Sequence, residues 1–310
     1  MILKVENISF SYTPSKPIFK DVSFNLAPGE VISIVGPSGT GKSTLLKSIA
    51  GLVQIEEGKI LLEGEEVFGP KYMLIAGHSE IALVNQLFEL DDFFTVKENI
   101  SNQLHHLPIQ ERTEFIEELL EVFELEDLSS VKSKDISGGE QQRLSMACAL
   151  AKEPRCLLLD EPFVHLDVHL NKKIGEYIRE LARLRSMGVV LVTHDGAEAL
   201  SWSDRILVMR NKRISSKYTP VQAYFKPKSL FEGRFFGELN SVYIGNKQYL
   251  FRPIEFSLES SKYKSKLEVI WKYAHFKGPF YANYFDLNNG RKEIVLYSDV
   301  VLKSTKEIYV

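Results

Sequence analysis

Cysteine is nearly absent: the two present, Cys148 and Cys156, stand in no Cys-x-x-Cys or Cys/His spacing. That argues against a disulfide framework or a zinc scaffold and for a reducing compartment. Long apolar runs are missing too. Stretches such as Cys156 to Leu159 and Val189 to Val192 fall far short of the roughly 20 residues that span a bilayer, so any membrane role must run through a partner. The N-terminus, MILKVENISFSY, alternates like a strand and has no basic region ahead of an apolar core, which argues against a secretory signal. Nor is there an excess of positive charge. With 38 Lys plus Arg against 41 Asp plus Glu, the net charge of −3 excludes a general nucleic-acid binder working through bulk charge. No internal repeat or low-complexity tract is present.

What is there suits a soluble globular protein: 310 residues, 44% hydrophobic and 25% charged, give room for about two domains. Charge marks a boundary near Asn240, because residues 241–310 carry 11 basic and 7 acidic side chains, against 27 and 34 before them. In the first part, strand-like stretches such as VISIVG, CLLLD and VVLVTH alternate with helical patterns, which implies a mainly parallel sheet flanked by helices. Residues 108–128 read as an acidic amphipathic helix, with Ile116, Leu119, Leu120 and Phe123 on one face. In the tail, aromatic and β-branched residues alternate with polar ones in VYIGNKQYLFRP, KLEVIWKYAHF, YANYFDL and EIVLYSDVVL. With a turn at Asn288-Asn289-Gly290, that pattern fits a small antiparallel barrel or sandwich.

The strongest chemical signal is Gly36-Pro37-Ser38-Gly39-Thr40-Gly41-Lys42-Ser43, followed by Thr44. It fits the G-x-x-x-x-G-K-[ST] phosphate loop at a strand-to-helix junction. Small residues let backbone amides close around phosphate oxygens, the helix points its positive end at them, Lys42 adds a charge, and Ser43 can ligate magnesium. Such a loop needs an acidic strand end. The run Cys156 to Leu159 delivers Asp160, suited to hold Mg²⁺, and Glu161, suited as the general base that polarises an attacking water.

These residues, together with Ile136-Ser137-Gly138-Gly139-Glu140-Gln141-Gln142-Arg143, resemble the ATP-binding cassette (ABC) ATPases and their Leu-Ser-Gly-Gly-Gln signature, with Ile for Leu and Glu for Gln. The resemblance implies an α/β fold: a phosphate-loop NTPase cassette over residues 1–235, with a RecA-like core and a helical subdomain at about 87–150. A small all-β barrel-like domain of the TOBE/OB type would follow over 236–310, where FRPIEF looks like that domain's Arg-Pro-Glu element.

The resemblance also assigns roles. Tyr12 would stack on adenine, and Gln86 would contact magnesium and water and sense the membrane subunits. Asp167 would cross a dimer interface, although Val164 and His165 replace the usual small residues there, and His194 would contact the γ-phosphate and the attacking water. Ser137, Gly138 and Gly139 would cradle the ATP of a second copy, so two chains would close head to tail on two Mg-ATP.

The stretches NQLFELDDFFTVKENI and VTHDGAEALSWSDRILVMRNKRI are similar to importer cassettes. They imply an ATP-hydrolysing coupling subunit on the cytoplasmic face of the cell membrane, peripheral to it. It would work with permease subunits and a solute-binding protein on an anion, metal or polyamine cargo. A cytoplasmic helix of the permease would sit in the groove beside residues 86–100. The alternative is a soluble ABC protein clamping nucleic acid or a ribosome through the basic tail. Trp271, Tyr273 and His275, with Lys272 among them, could suggest stacking on single strands, but a barrel core with a solvated outer face is the preferred reading of those residues. His105 and His106, being adjacent, cannot chelate one ion as an i, i+4 pair would.

Overall fold

The computed structural model describes residues 1–13, 16–85, 90–105, 107–164, 166–259, 265–287 and 293–310. The chain divides into two compact units, Met1–Pro220 and Val221–Val310.

The first unit opens with a long hairpin, β1 (Leu3–Thr13) and β2 (Lys16–Leu26), before the central strand β3 (Val31–Val35). Along β1 the buried residues run Leu3 and Val5, then Ile8 and Phe10, a break in period-two alternation. The ladder slips between Val5 and Ile8, where Asn7 takes a φ of 50°. Asn tolerates this left-handed backbone, and the bulge returns the next apolar residues to the same face. After α1 (Lys42–Ile49) come β4 (Glu57–Leu62) and β5 (Glu65–Glu66), which join the hairpin in an antiparallel sheet of order β2-β1-β4-β5.

Strand β6 (Ile81–Val84) leads into a helical insert of α2 (Val96–Ser101), α3 (Ile109–Val122) and α4 (Gly138–Ala151). Helix α3 ends at Val122, short of the expected residue 128; Ile116, Leu119 and Leu120 are buried as the spacing implies, Phe115 joins them, and the buried Phe123 is the C-cap. The chain then alternates β7 (Cys156–Asp160), α5 (Val168–Leu184), β8 (Gly188–Thr193), α6 (Gly196–Trp202), β9 (Arg205–Arg210) and β10 (Arg213–Tyr218). These strands form a sheet of order β10-β9-β3-β8-β7-β6, parallel except for the β9–β10 pair at one edge.

The apolar runs seen in the sequence are strands buried on both faces. Leu157, Leu159, Val189 and Leu191 pack into a core with the helical insert and α5. Cys156, Leu158, Val190 and Val192 pack into the core shared with α1 and the antiparallel sheet. Burial pushes both cysteine thiols up to about 12, so Cys148 and Cys156 stay neutral and free. Among the described residues no helix is long and apolar enough to cross a membrane, and no His, Cys, Asp and Glu group is arranged to hold a metal by itself.

The second unit begins with two short helices, α7 (Pro220–Phe225) and α8 (Leu230–Phe235), and is otherwise all β. Its strands are β11 (Asn240–Ile244), β12 (Lys247–Phe251), β13 (Lys266–Phe276), β14 (Tyr281–Leu287), β15 (Glu293–Ser298) and β16 (Glu307–Tyr309). A β11–β12 hairpin accompanies a curled antiparallel sheet of order β15-β14-β13-β16 around Val242, Phe251, Val269, Phe285, Ile294, Leu296 and Ile308. The division at Pro220 falls before the expected 235/236 boundary, so residues 221–235 group with the tail. Arg252 of this unit binds the carbonyls of Tyr224, Gly237 and Glu238, which ties that linker to the β domain. The turn expected at Asn288 to Gly290 lies outside the described residues.

Candidate functional site

Three strand ends meet at the carboxyl edge of the central sheet. Val35 on β3 pairs with Thr193 on β8, and Asp160 on β7 pairs with Val192. Gly36, Glu161 and His194 therefore leave the sheet side by side, where ligands bind in open α/β folds.

Residues 36–41 carry the chain from β3 into α1. Gly36 packs so closely that a Cβ would collide with the Met209 carbonyl. Gly41, the N-cap of α1, has a φ of 95°, and a Cβ there would lie 2.8 Å from Ile18 Cγ2. Glycine alone fits both constraints. The helix has no side-chain cap, and its first intrahelical bond runs from Leu45 N–H to Gly41 O at 2.8 Å. Its first amides are left for an anion. Thr40 Oγ1 donates to Pro37 O at 2.8 Å and closes the loop, from which Pro37, Ser38 and Gly39 project into solvent.

Lys42 is buried and donates to Gly36 O and Pro37 O at 2.9 and 3.1 Å. Burial pulls its ammonium below the ordinary value, opposed by the charges of Glu161 and Asp160. Asp160 is displaced the other way: burial raises its carboxyl, the Ser43 hydroxyl bond opposes this, and the Glu161 charge adds to it. The site thus holds a carboxylate pushed toward protonation beside an ammonium pushed toward neutrality, and both are relieved by a polyphosphate bound with a divalent cation. Ser43 and Asp160, already joined, supply hard oxygens that suit Mg²⁺.

Glu161 N–H donates to Val192 O at 2.8 Å, and its carboxylate Oε1 lies 3.1 Å from His194 Nδ1. The histidine backbone is fixed in turn: Asp195 N–H donates to Thr193 Oγ1 at 2.9 Å, and that hydroxyl donates to Glu198 Oε2 at 2.6 Å. Two side chains with no role assigned from the sequence support the site: Glu198, whose carboxylate accepts from the Thr193 hydroxyl five residues earlier, and Gln142, which lies within the signature-like segment but binds carbonyls 19 and 20 residues further on.

Tyr12 is 66% exposed and sits edge-on to Phe10 at 4.8 Å. It lies at the end of the hairpin that also carries Ile18, the residue touching Gly41. Gln86 lies outside the described residues, although the β6 strand preceding it pairs Val84 with Leu159, next to Asp160.

Ser137 caps α4: its Oγ accepts from Glu140 N–H at 3.4 Å, and its own N–H donates to Glu140 Oε2 at 2.7 Å. The glutamate that replaces the usual glutamine completes a capping box and complements the helix dipole. Ser137 and Gly138 are exposed, Gly139 is half-buried, and a Cβ on Gly138 would meet nothing within 4 Å. Asp167 caps α5 through His169 and Leu170 amides at 2.9 and 3.0 Å, while His165 lies outside the described residues. In the tail, Trp271 packs against the core, and Lys272 is paired with Glu293 and Asp286.

A family profile described as "ABC transporter" matches residues 19–164. The chain is 36% identical over 241 residues to the spermidine/putrescine import ATP-binding protein PotA of Haemophilus ducreyi, covering 77% of this chain and 64% of that protein. To PotA of Bacillus anthracis it is 36% identical over 277 residues, covering 88% and 81%. To the sulfate/thiosulfate import ATP-binding protein CysA of Pseudomonas syringae it is 35% identical over 265 residues, covering 83% and 80%. Among solved structures, a dimeric ATP-binding cassette in a post-hydrolysis state with ADP and phosphate aligns with a TM-score of 0.63 at 29% identity, over 71% of this chain and 99% of that one. An ATP-binding subunit of an ABC transporter aligns with a TM-score of 0.64 at 28% identity, over 71% and 90%.

Proposed function

This chain belongs to the family of ABC transporter ATP-binding subunits, and we propose that it is the ATP-hydrolysing coupling subunit of an importer. The observation that carries the proposal is the Glu161 carboxylate 3.1 Å from the His194 ring, on the sheet edge that also holds Lys42 and the Ser43–Asp160 pair.

In this reading the amides of residues 36–44 and the Lys42 ammonium bind the phosphates of ATP, and Tyr12 stacks on the adenine. Ser43, Gln86 and Asp160 would hold Mg²⁺, which would supply neutralisation of phosphate charge. Glu161 accepts a proton from the attacking water, and His194 holds that water against the terminal phosphate. The exposed Ser137 and Gly138, with the half-buried Gly139, complete the site of a second copy, a mode supported by the dimeric cassette among the structural relatives. Two chains closing on two ATP molecules move the helical insert, whose segment over residues 90–100 would pass that motion to a permease helix.

The named relatives import polyamines or sulfate and thiosulfate, which supports a small polyamine or oxyanion cargo brought by a solute-binding protein to membrane subunits. The same relatives favour transport over the nucleic-acid clamp, as does the pairing of Lys272. The reading places the protein on the cytoplasmic face of the membrane, held there by its partner.

The test is affinity capture of the tagged chain from mild-detergent extracts, followed by ATPase assay of the complex. A stoichiometric polytopic membrane protein that stimulates hydrolysis is the expected result. A chain that stays apart from membrane proteins and co-purifies with ribosomes contradicts the importer reading.

A further inference from the structure

Glu161 occupies a backbone conformation that its sequence disfavours. Its φ is 53°, in the left-handed region, and it precedes Pro162, a neighbour that steers a residue toward extended backbone. Strain of this kind persists only where the surroundings enforce it. One restraint is the bond from Glu161 N–H to Val192 O. The other comes from the helical insert: Gln142 of α4, only 5% exposed, donates from Nε2 to Glu161 O at 3.3 Å and to Pro162 O at 2.8 Å. Both protons of one carboxamide are spent on two successive carbonyls of the turn that carries the acid.

The geometry points to Gln142 as a positioning residue for hydrolysis, one that locks the Glu161–Pro162 turn so that the carboxylate faces His194 and the attacking water. It acts through the backbone that carries Glu161, so the inference rests on the reading of Glu161 as general base. The helix that carries Gln142 begins at Ser137, the exposed cap offered to a second copy. Alignment of the base is therefore tied, through a single carboxamide, to the placement of the signature helix. A shift of α4 away from the 161–162 turn withdraws both hydrogen bonds at once and leaves the strained turn free to relax.

The test uses the full chain and separates binding from chemistry. Gln142→Met keeps length and volume but removes both donors, and Gln142→Asn keeps the amide but shortens its reach, which covers the case in which the Met variant does not fold. ATP affinity, thermal midpoint and single-turnover hydrolysis are measured for wild type, Gln142→Met, Gln142→Asn, Glu161→Gln and the Gln142→Met/Glu161→Gln double variant. The expected result is hydrolysis slowed about tenfold or more in the Gln142 variants, with ATP affinity within about twofold of wild type. The double variant should be no slower than Glu161→Gln alone, because a positioning residue has nothing left to position. Wild-type hydrolysis in Gln142→Met, or a full multiplicative loss in the double variant, overturns the inference while leaving Glu161 as base. Wild-type turnover in Glu161→Gln overturns the base reading and the inference with it.

Discussion

His194 Nδ1 lies 3.1 Å from Glu161 Oε1, and the two side chains differ in exposure, 55% against 22%. The acid is held within the turn after β7, while more than half of the ring's surface is open to solvent. Removing the ring should therefore cost chemistry more than binding. His194→Ala is expected to slow phosphate release by about 10²-fold with ATP affinity nearly unchanged. Equal losses in affinity and rate would make the histidine a simple binding contact.

Gly41 combines a left-handed backbone with the close approach of Ile18. Gly41→Ala adds a Cβ that must displace Ile18 or unwind the first turn of α1, at a cost of about 1–3 kcal/mol. Nucleotide affinity should fall more than about tenfold while the far ends of the sheet stay folded. Fluorescent-nucleotide titration with circular dichroism on the same samples checks this, and an unchanged affinity contradicts it.

Asp160 gives a prediction with a pH sign. Burial raises its carboxyl above the ordinary range, so the native state takes up that proton at a higher pH than the unfolded chain does. Its contribution to stability is unfavourable near neutrality and is relieved as pH falls through the native value. Asp160→Asn should raise the thermal midpoint at neutral pH by about 2–4 °C for roughly 1 kcal/mol. The gain should shrink on acidification, and Mg²⁺-dependent hydrolysis should drop about 10²-fold. Scanning calorimetry of the nucleotide-free protein across pH reads the first effect; a lowered midpoint at neutral pH would show that Asp160 stabilises the fold.

In the tail, Arg252 is fully buried yet its guanidinium binds carbonyls instead of a carboxylate. Its Nε donates to Tyr224 O at 2.6 Å, its Nη1 to Gly237 O and Glu238 O at 3.0 Å each, and its Cζ sits 4.1 Å over the Tyr224 ring. Arg252→Met fills the volume and strands three carbonyls, a loss of about 3 kcal/mol or more. The expected signature is early proteolysis within residues 221–310, with the ATP-stabilised transition of the first unit retained. A tail as resistant as wild type would contradict this.

Much of this site is legible in the sequence because its parts are local. A phosphate loop follows a strand and opens a helix, and beside such a loop an apolar run ending in Asp160-Glu161 reads as a buried strand delivering acids to the sheet edge, which it is. What the sequence hides is what depends on distant partners. Gln142 stands in the segment that resembles the signature, but its own role is hidden, because the carbonyls it serves lie 19 and 20 residues away. Asn7 looks like an interruption of a strand until its left-handed backbone restores the alternation. The antiparallel sheet of β1, β2, β4 and β5 has the same cause, since the β1–β4 pairing that joins its two local hairpins spans β2, β3 and α1. The link between residues 221–235 and the tail is hidden for the same reason, since buried Arg252 reaches the Tyr224 carbonyl 28 residues upstream.

The central claim, that Glu161 drives ATP hydrolysis in a site completed by a second copy, is tested most directly by sedimentation of Glu161→Gln with Mg-ATP. The account predicts a stable dimer that retains unhydrolysed ATP and dissociates when ADP replaces it. A variant that remains monomeric and releases phosphate at the wild-type rate would contradict it.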